Sequence, residues 1–145
     1  MPGVFEYLHI VRGDEIDELG HAHNLAYIQW MLEAALAHSA AQGWPAEAYL
    51  HLGAGWVVRS HKITYLSPAF EGDEVLIRTW VADFRRATSL RRYEMLRRLD
   101  GARLARAATH WAFIDFATRA LRRVPPEVAQ AYEVCAGPGD ASAPH

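Results

Sequence analysis

The chain has 145 residues, of which 51% are apolar, 11% aromatic and 22% charged, so it is one ordinary globular domain and neither a disordered nor a fibrous chain. The single Cys135 excludes an internal disulfide, and without an 18-residue apolar run or a basic-then-apolar leader the sequence predicts a cytoplasmic protein with no membrane segment. The net charge of −2 hides a segregation: residues 1–84 carry −7, residues 85–123 carry +8, and every basic side chain of that second stretch is an arginine.

Residues 4–12, "VFEYLHIVR", are β-branched and aromatic and predict a first strand. Next comes an acidic junction, "GDEIDELGHAHN" (13–24). From Asn24, "NLAYIQWMLEAALAHSAAQGWP" has no breaker before Gly43 and predicts a helix of about 19 residues, with Asn24 as N-cap and Gly43 at the left-handed end. Its apolar residues run nearly all the way round, which predicts burial on most sides.

Four further strands follow, at 55–70, 73–84, 88–99 and 103–116, with a hairpin signal at Asp100-Gly101. Their short connections predict an antiparallel meander. A short helix is expected after Pro125-Pro126, and 136–145 is expected to be an unstructured tail, leaving a single domain over 1–135. A long apolar helix and a meander pack most economically when the sheet curls round the helix, an α+β arrangement whose free sheet edge favours dimerisation.

The acidic junction admits two readings. Asp17 and Glu18 could simply favour the positive end of the helix, worth about 0.3–1 kcal/mol each. Yet Asp17 lies seven residues before Asn24, and Gly20 between them marks a sharp bend or a close approach. The alternative is chemical: N–H groups at a helix start stabilise an oxyanion, and a carboxylate across a small gap attacks the same carbonyl or activates water. "HAH" (21–23) lacks a further ligand cluster, so no metal is expected. His61 and His110 fall inside strands as packed residues, and Ser39, Ser60 and Ser67 lack the turn that exposes a nucleophilic serine.

The eleven arginines of 85–123 read either as a solvated strand face or as a surface for a phosphate-bearing ligand, which guanidinium groups bind bidentately. Nucleic acid is not expected, because aromatics do not punctuate the arginines and the overall pI is acidic.

The stretch "IDELGHAHNLAYIQWMLEA" (16–34) resembles the signature of hotdog-fold acyl-CoA thioesterases of the 4-hydroxybenzoyl-CoA thioesterase type, where an Asp, two residues and a Gly precede an "N..Y..W" helix start. The resemblance continues through "ITYLSPAFEGDEVLIRTWV" (63–81) and "ATHWAFIDFATRALRRVPPEV" (108–128). It implies a hotdog fold, with an antiparallel sheet wrapped around one long central helix.

It further implies that Asp17 is the catalytic carboxylate, Gly20 the glycine before the helix, and the backbone near His23 and Asn24 the oxyanion site. Tyr27 and Trp30 would line or support the acyl pocket. His21 matches the histidine of the acyl-carrier-protein branch, but Leu19 stands where that branch often has Asn. Arg85, Arg86, Ser89 and Arg91 fall in the region that approaches coenzyme A. The expected activity is hydrolysis of an acyl- or aroyl-CoA by a homodimer or a dimer of dimers, with no cofactor beyond the coenzyme A of the substrate. A non-catalytic acyl-CoA-binding module, or a thioesterase acting on acyl-carrier protein, are the alternatives.

Overall fold

The computed structural model describes residues 3–138. In chain order these form β1 (Phe5–Ile10), a 3-10 turn (Gly13–Glu15), α1 (Asn24–Ala41), α2 (Ala46–Leu52), β2 (Ala54–Tyr65), β3 (Glu74–Phe84), β4 (Thr88–Arg97), β5 (Arg103–Asp115) and α3 (Pro126–Ala129). All strand pairs are antiparallel, in the order β1-β3-β4-β5-β2.

The meander expected for the last four strands is therefore realised only by β3, β4 and β5. Strand β2 pairs with β5 on the outside, and β1 takes the place beside β3. The cause is the connection at 66–73, which crosses the end of the sheet instead of turning back as a hairpin. Leu66 N donates to Leu104 O (2.9 Å), Ala22 N to Ala69 O (2.8 Å) and Gly72 N to Val11 O (2.9 Å), so this segment runs from β5, past the loop before α1, to the end of β1.

Helix α1 begins one residue after its cap. The cap is His23 and not Asn24: the His23 Nδ1 accepts from Ala26 N at 3.0 Å, meeting one of the N–H groups that a helix start leaves open. Gly43 takes the left-handed conformation expected of it, with φ of 89°.

Tyr27, Trp30, Met31, Ala34 and His38 form the buried face, against β1 and β3. The remainder is less enclosed than the composition suggests. Leu25 and Leu36 are exposed, and with the half-buried Ile28 and Leu32 they make a second apolar stripe along the helix. Composition alone cannot separate two stripes from full burial, because an evenly apolar helix has no preferred face.

Two packed groups make the interior. One joins α1 to the sheet through Trp30, Met31, Ile77, Tyr93 and Met95. The other, under α2, centres on Tyr49, Phe113 and Val128 with Trp56 and Phe84 against them. After α3 the chain returns to the sheet, where Cys135 N donates to Val81 O (3.1 Å) and Gly137 lies against the Trp80 ring. Of the tail expected to be unstructured, 136–138 are seen here, and 139–145 lie outside the described residues. None of the described helices is long and apolar enough to cross a membrane.

Candidate functional site

Two hydrogen-bonded turns bridge β1 and α1, and they give the four acids of the junction different environments. Glu15, in the 3-10 turn, is buried although its sequence neighbours are charged. Its Oε1 accepts from His9 Nε2 (2.8 Å) and Arg12 N (2.9 Å), and its Oε2 from Trp30 Nε1 (2.8 Å). Burial alone would raise its pKa; the hydrogen bonds from Arg12, His9 and Trp30 outweigh that and hold it below the ordinary carboxylate value. Asp14 is exposed and paired with Arg12 at 3.0 Å, as an ordinary surface acid. Glu18 is exposed as well.

Asp17 opens the second turn. Ile16 and Ala22 form an isolated antiparallel bridge, with Asp17 N donating to His21 O (2.9 Å) and Gly20 N to Asp17 O (3.1 Å). Gly20 has φ of 88° and open space where a side chain would project, so it serves the bend and not a close approach. One carboxylate oxygen of Asp17 accepts from Leu19 N (2.9 Å), and the other lies 3.5 Å from His21 Nδ1. The side chain is 31% exposed.

The N–H groups ahead of α1 are largely engaged. Ala22 N donates to Ala69 O, His23 N to Glu15 O (2.9 Å), and Ala26 N to His23. His23 thus cannot supply the oxyanion-binding N–H expected of it; its backbone anchors the 3-10 turn and its ring caps the helix. At the helix start itself, Asn24 N and Leu25 N have no partner among the described residues.

Asn24 borders a cleft of about 250 Å³ between the helix start and the exit of β2, lined also by His21, Tyr27, Tyr65 and Ser67 among others. Tyr27 and Tyr65 meet edge to face at 5.0 Å, and Tyr65 Oη donates to Asn24 O (3.3 Å). His21 stands on the cleft wall with Asp17 behind it. Trp30, expected to line or support the pocket, is fully buried; its indole N–H holds Glu15 and its ring packs at 4.7 Å against Tyr27 of the cleft wall.

The arginines divide by strand face. Arg85 and Arg86 are exposed in the β3–β4 turn, Arg85 lying 3.6 Å from Asp83. Ser89 and Arg91, expected at the coenzyme A surface, instead point inward: β4 alternates, and Ser89, Arg91, Tyr93 and Met95 share its buried face. Ser89 Oγ donates to Asp83 O at 2.7 Å. On the outer face Glu6, Arg78, Glu94 and Arg106 occupy one cross-strand row, an alternation of charge that solvates the sheet. Among the described residues no three His, Cys, Asp or Glu side chains come together as metal ligands.

Against this geometry stand the comparisons with known proteins. The sequence profile described as the thioesterase-like superfamily matches residues 11–132. A 1,4-dihydroxy-2-naphthoyl-CoA thioesterase from Synechocystis is 22% identical, covers 89% of this chain and 95% of its own, and superposes with a TM-score of 0.83. A Staphylococcus aureus protein solved in complex with CoA is 17% identical over 90% of this chain and 83% of its own, with a TM-score of 0.84. The 12:0-ACP thioesterase from Umbellularia californica is 21% identical over 90% of this chain and 51% of its own, with a TM-score of 0.79. None of the curated proteins matches. At such identities the likeness is one of fold: a five-stranded antiparallel sheet packed on a long helix, the α+β hotdog arrangement.

Proposed function

The chain belongs to the thioesterase-like superfamily, and on that premise we propose that it hydrolyses an acyl-CoA thioester to the free acid and coenzyme A. What supports this reading is one arrangement: the Asp17 carboxylate, held in a tight turn, lies 3.5 Å from Nδ1 of His21 on the wall of the cleft that Asn24, with an unpartnered N–H group, also lines.

The acyl group enters the cleft beside Tyr27, and its carbonyl oxygen accepts from the Asn24 or Leu25 N–H, with the positive end of α1 behind them. Asp17 then acts in one of two ways. It attacks the carbonyl carbon, expelling the coenzyme A thiolate and leaving a mixed anhydride that water opens, or it takes a proton from water as the water attacks. In both, one water is consumed, the acid leaves as carboxylate, and the thiolate is reprotonated. His21, 3.5 Å from Asp17 and on the cleft wall, orients that carboxylate. The coenzyme A phosphates lie along exposed arginines of the neighbouring subunit, Arg85 and Arg86 first.

The acting unit is a homodimer or a dimer of dimers, formed through the open edge of β2 and the exposed stripe of α1. No metal or redox cofactor, nucleic acid or membrane enters this reading, and the location is cytoplasmic.

The position of Asp17 behind His21 favours a second reading, a module that binds acyl-CoA without cleaving it. Thiol release from a panel of short, long and aromatic acyl-CoAs separates the two. A thioesterase releases thiol, and Asp17→Asn lowers the rate at least about 100-fold with the fold retained; a binder is stabilised by the same compounds without thiol release. Undiminished turnover by the variant would overturn the role of Asp17. Repeating the assay with acyl-carrier-protein thioesters identifies the leaving thiol.

A further inference from the structure

A second cavity, of about 300 Å³, lies at the other end of α1, between its C-terminal half, α2 and the sheet. At about 1.5 Å per residue, Ser39 on its wall stands about 22 Å along the helix from Asn24. The walls are apolar and aromatic, with Leu36, Trp56, Phe84 and Phe116 among them, and a volume of this order accommodates a small organic molecule.

Arg91 is set into this wall, only 6% exposed. Its Nη1 donates to Thr79 Oγ1 (2.9 Å) and to His38 Nδ1 (3.0 Å), whereas Nη2 and Nε make no hydrogen bond among the described residues. Burial, reinforced by the Arg91 charge, pushes the His38 pKa down to about 4, so the imidazole is a neutral acceptor and not a competing cation. No carboxylate among the described residues lies within ion-pair reach; the ionisable groups around the guanidinium are the hydroxyls of Tyr93, Tyr132 and Tyr49. Of the other polar atoms of the wall, Trp111 Nε1 is buried without a partner among the described residues, and the hydroxyls are paired. Ser39 Oγ donates to Trp44 O (2.6 Å) and accepts from Tyr132 Oη (2.8 Å), and Tyr49 Oη accepts from Trp56 Nε1 (3.1 Å).

A buried charge without a counter-ion is unfavourable by several kcal/mol, and an apolar side chain of similar length would fill the same space without that penalty. Stability therefore gives no reason for an arginine here. A ligand does: a guanidinium with free donors at the wall of an aromatic cavity matches one carboxylate on an apolar body. A phosphate monoester would bring more negative charge than the single cation balances.

We propose that this cavity binds the carboxylate of a small apolar or aromatic organic acid, with Arg91 as its counter-ion. The assignment rests on the surroundings of Arg91 and is independent of the chemistry at Asp17. The carboxylate belongs either to a free acid or to the far end of an acyl group carried as a thioester.

Calorimetry and thermal shift on the full chain test it, with 3-phenylpropionate and octanoate compared with their primary amides. The acids bind at least 10-fold tighter than the amides. Arg91→Met, which removes the charge and keeps the length, equalises acid and amide. Asp17→Asn binds both as the wild type does, which separates failure here from failure at the cleft. Thiol release from hexadecanedioyl-CoA and hexadecanoyl-CoA, whose chains are long enough to reach from the cleft to Arg91, then identifies the source: a preference for the diacid thioester that Arg91→Met abolishes marks a thioester-borne carboxylate, and equal rates with acid binding retained mark a free acid. Equal affinity of wild type for acid and amide, binding of neither, or discrimination retained in Arg91→Met overturns the proposal; the wild-type comparison decides by itself if Arg91→Met does not fold.

Discussion

Glu15 Oε2 accepts the indole N–H of Trp30 at 2.8 Å, fastening the turn before the acid loop to the second turn of α1. With His9 and the Arg12 N–H on its other oxygen, Glu15 satisfies three donors in a buried pocket. Glu15→Ala leaves all three without an acceptor and lowers stability by about 3–5 kcal/mol, read by urea denaturation. Because the folded-state pKa of Glu15 lies below its unfolded value, its contribution is present above about pH 4.3 and lost as pH falls through the folded pKa. The variant lacks that part of the acid transition.

His38 gives a second pH signature with a different window. Its folded pKa of about 4 lies below the ordinary histidine value of about 6.5, so as pH falls the unfolded chain takes up the proton first. Stability declines between about pH 6.5 and pH 4, by about 3 kcal/mol in all. His38→Gln keeps an acceptor for Arg91 but does not titrate. Denaturation midpoints followed across that range fall for the wild type and stay level for the variant, once their shared pH dependence is subtracted.

Gly20 isolates backbone conformation from packing. At φ of 88° with nothing within 4 Å of an added side chain, Gly20→Ala meets no clash and pays only for the left-handed conformation, about 1 kcal/mol. If the turn positions Asp17 for hydrolysis, turnover falls by more than this small stability loss explains. Circular dichroism melts alongside thiol-release kinetics separate the two effects.

The open edge of β2 carries exposed Val57 and Val58 beside a break in register at Ser60. A lysine there opposes strand pairing across an interface. Val58→Lys shifts the assembly toward a monomer on size-exclusion chromatography with light scattering; an unchanged mass places the interface elsewhere.

The elements themselves were legible. Breakers at Gly43 and Pro45, and alternation in β3 and β4, locate α1 and the strands to within a few residues. Pairing was not, because the residues of 66–73 look like hairpin punctuation and only their contacts with Ala22 and Leu104 reveal a crossing. Helix α2, seven residues between Pro45 and Gly53, is too short for a periodic signal.

In the site, the Gly20 bend could be seen in the spacing. The burial of Glu15 could not, since an acid among acids looks solvated until His9 and Trp30 arrive from elsewhere. Arg91 did leave a signal: it alternates with Tyr93 and Met95, both core residues. The usual expectation that arginines lie outside masked it.

The crossing segment at 66–73 has a consequence for synthesis. Chain emerging from the ribosome presents residues 16–24 and α1 well before Ala69 exists to receive the Ala22 N–H, and β2 well before β5 can pair with it. The acid loop thus has only its local backbone bonds until Ala69 is made, and β2 has no sheet partner until the last strand is made. A nascent chain halted before residue 103 holds every residue of the cleft and none of the β5 residues that pair with β2.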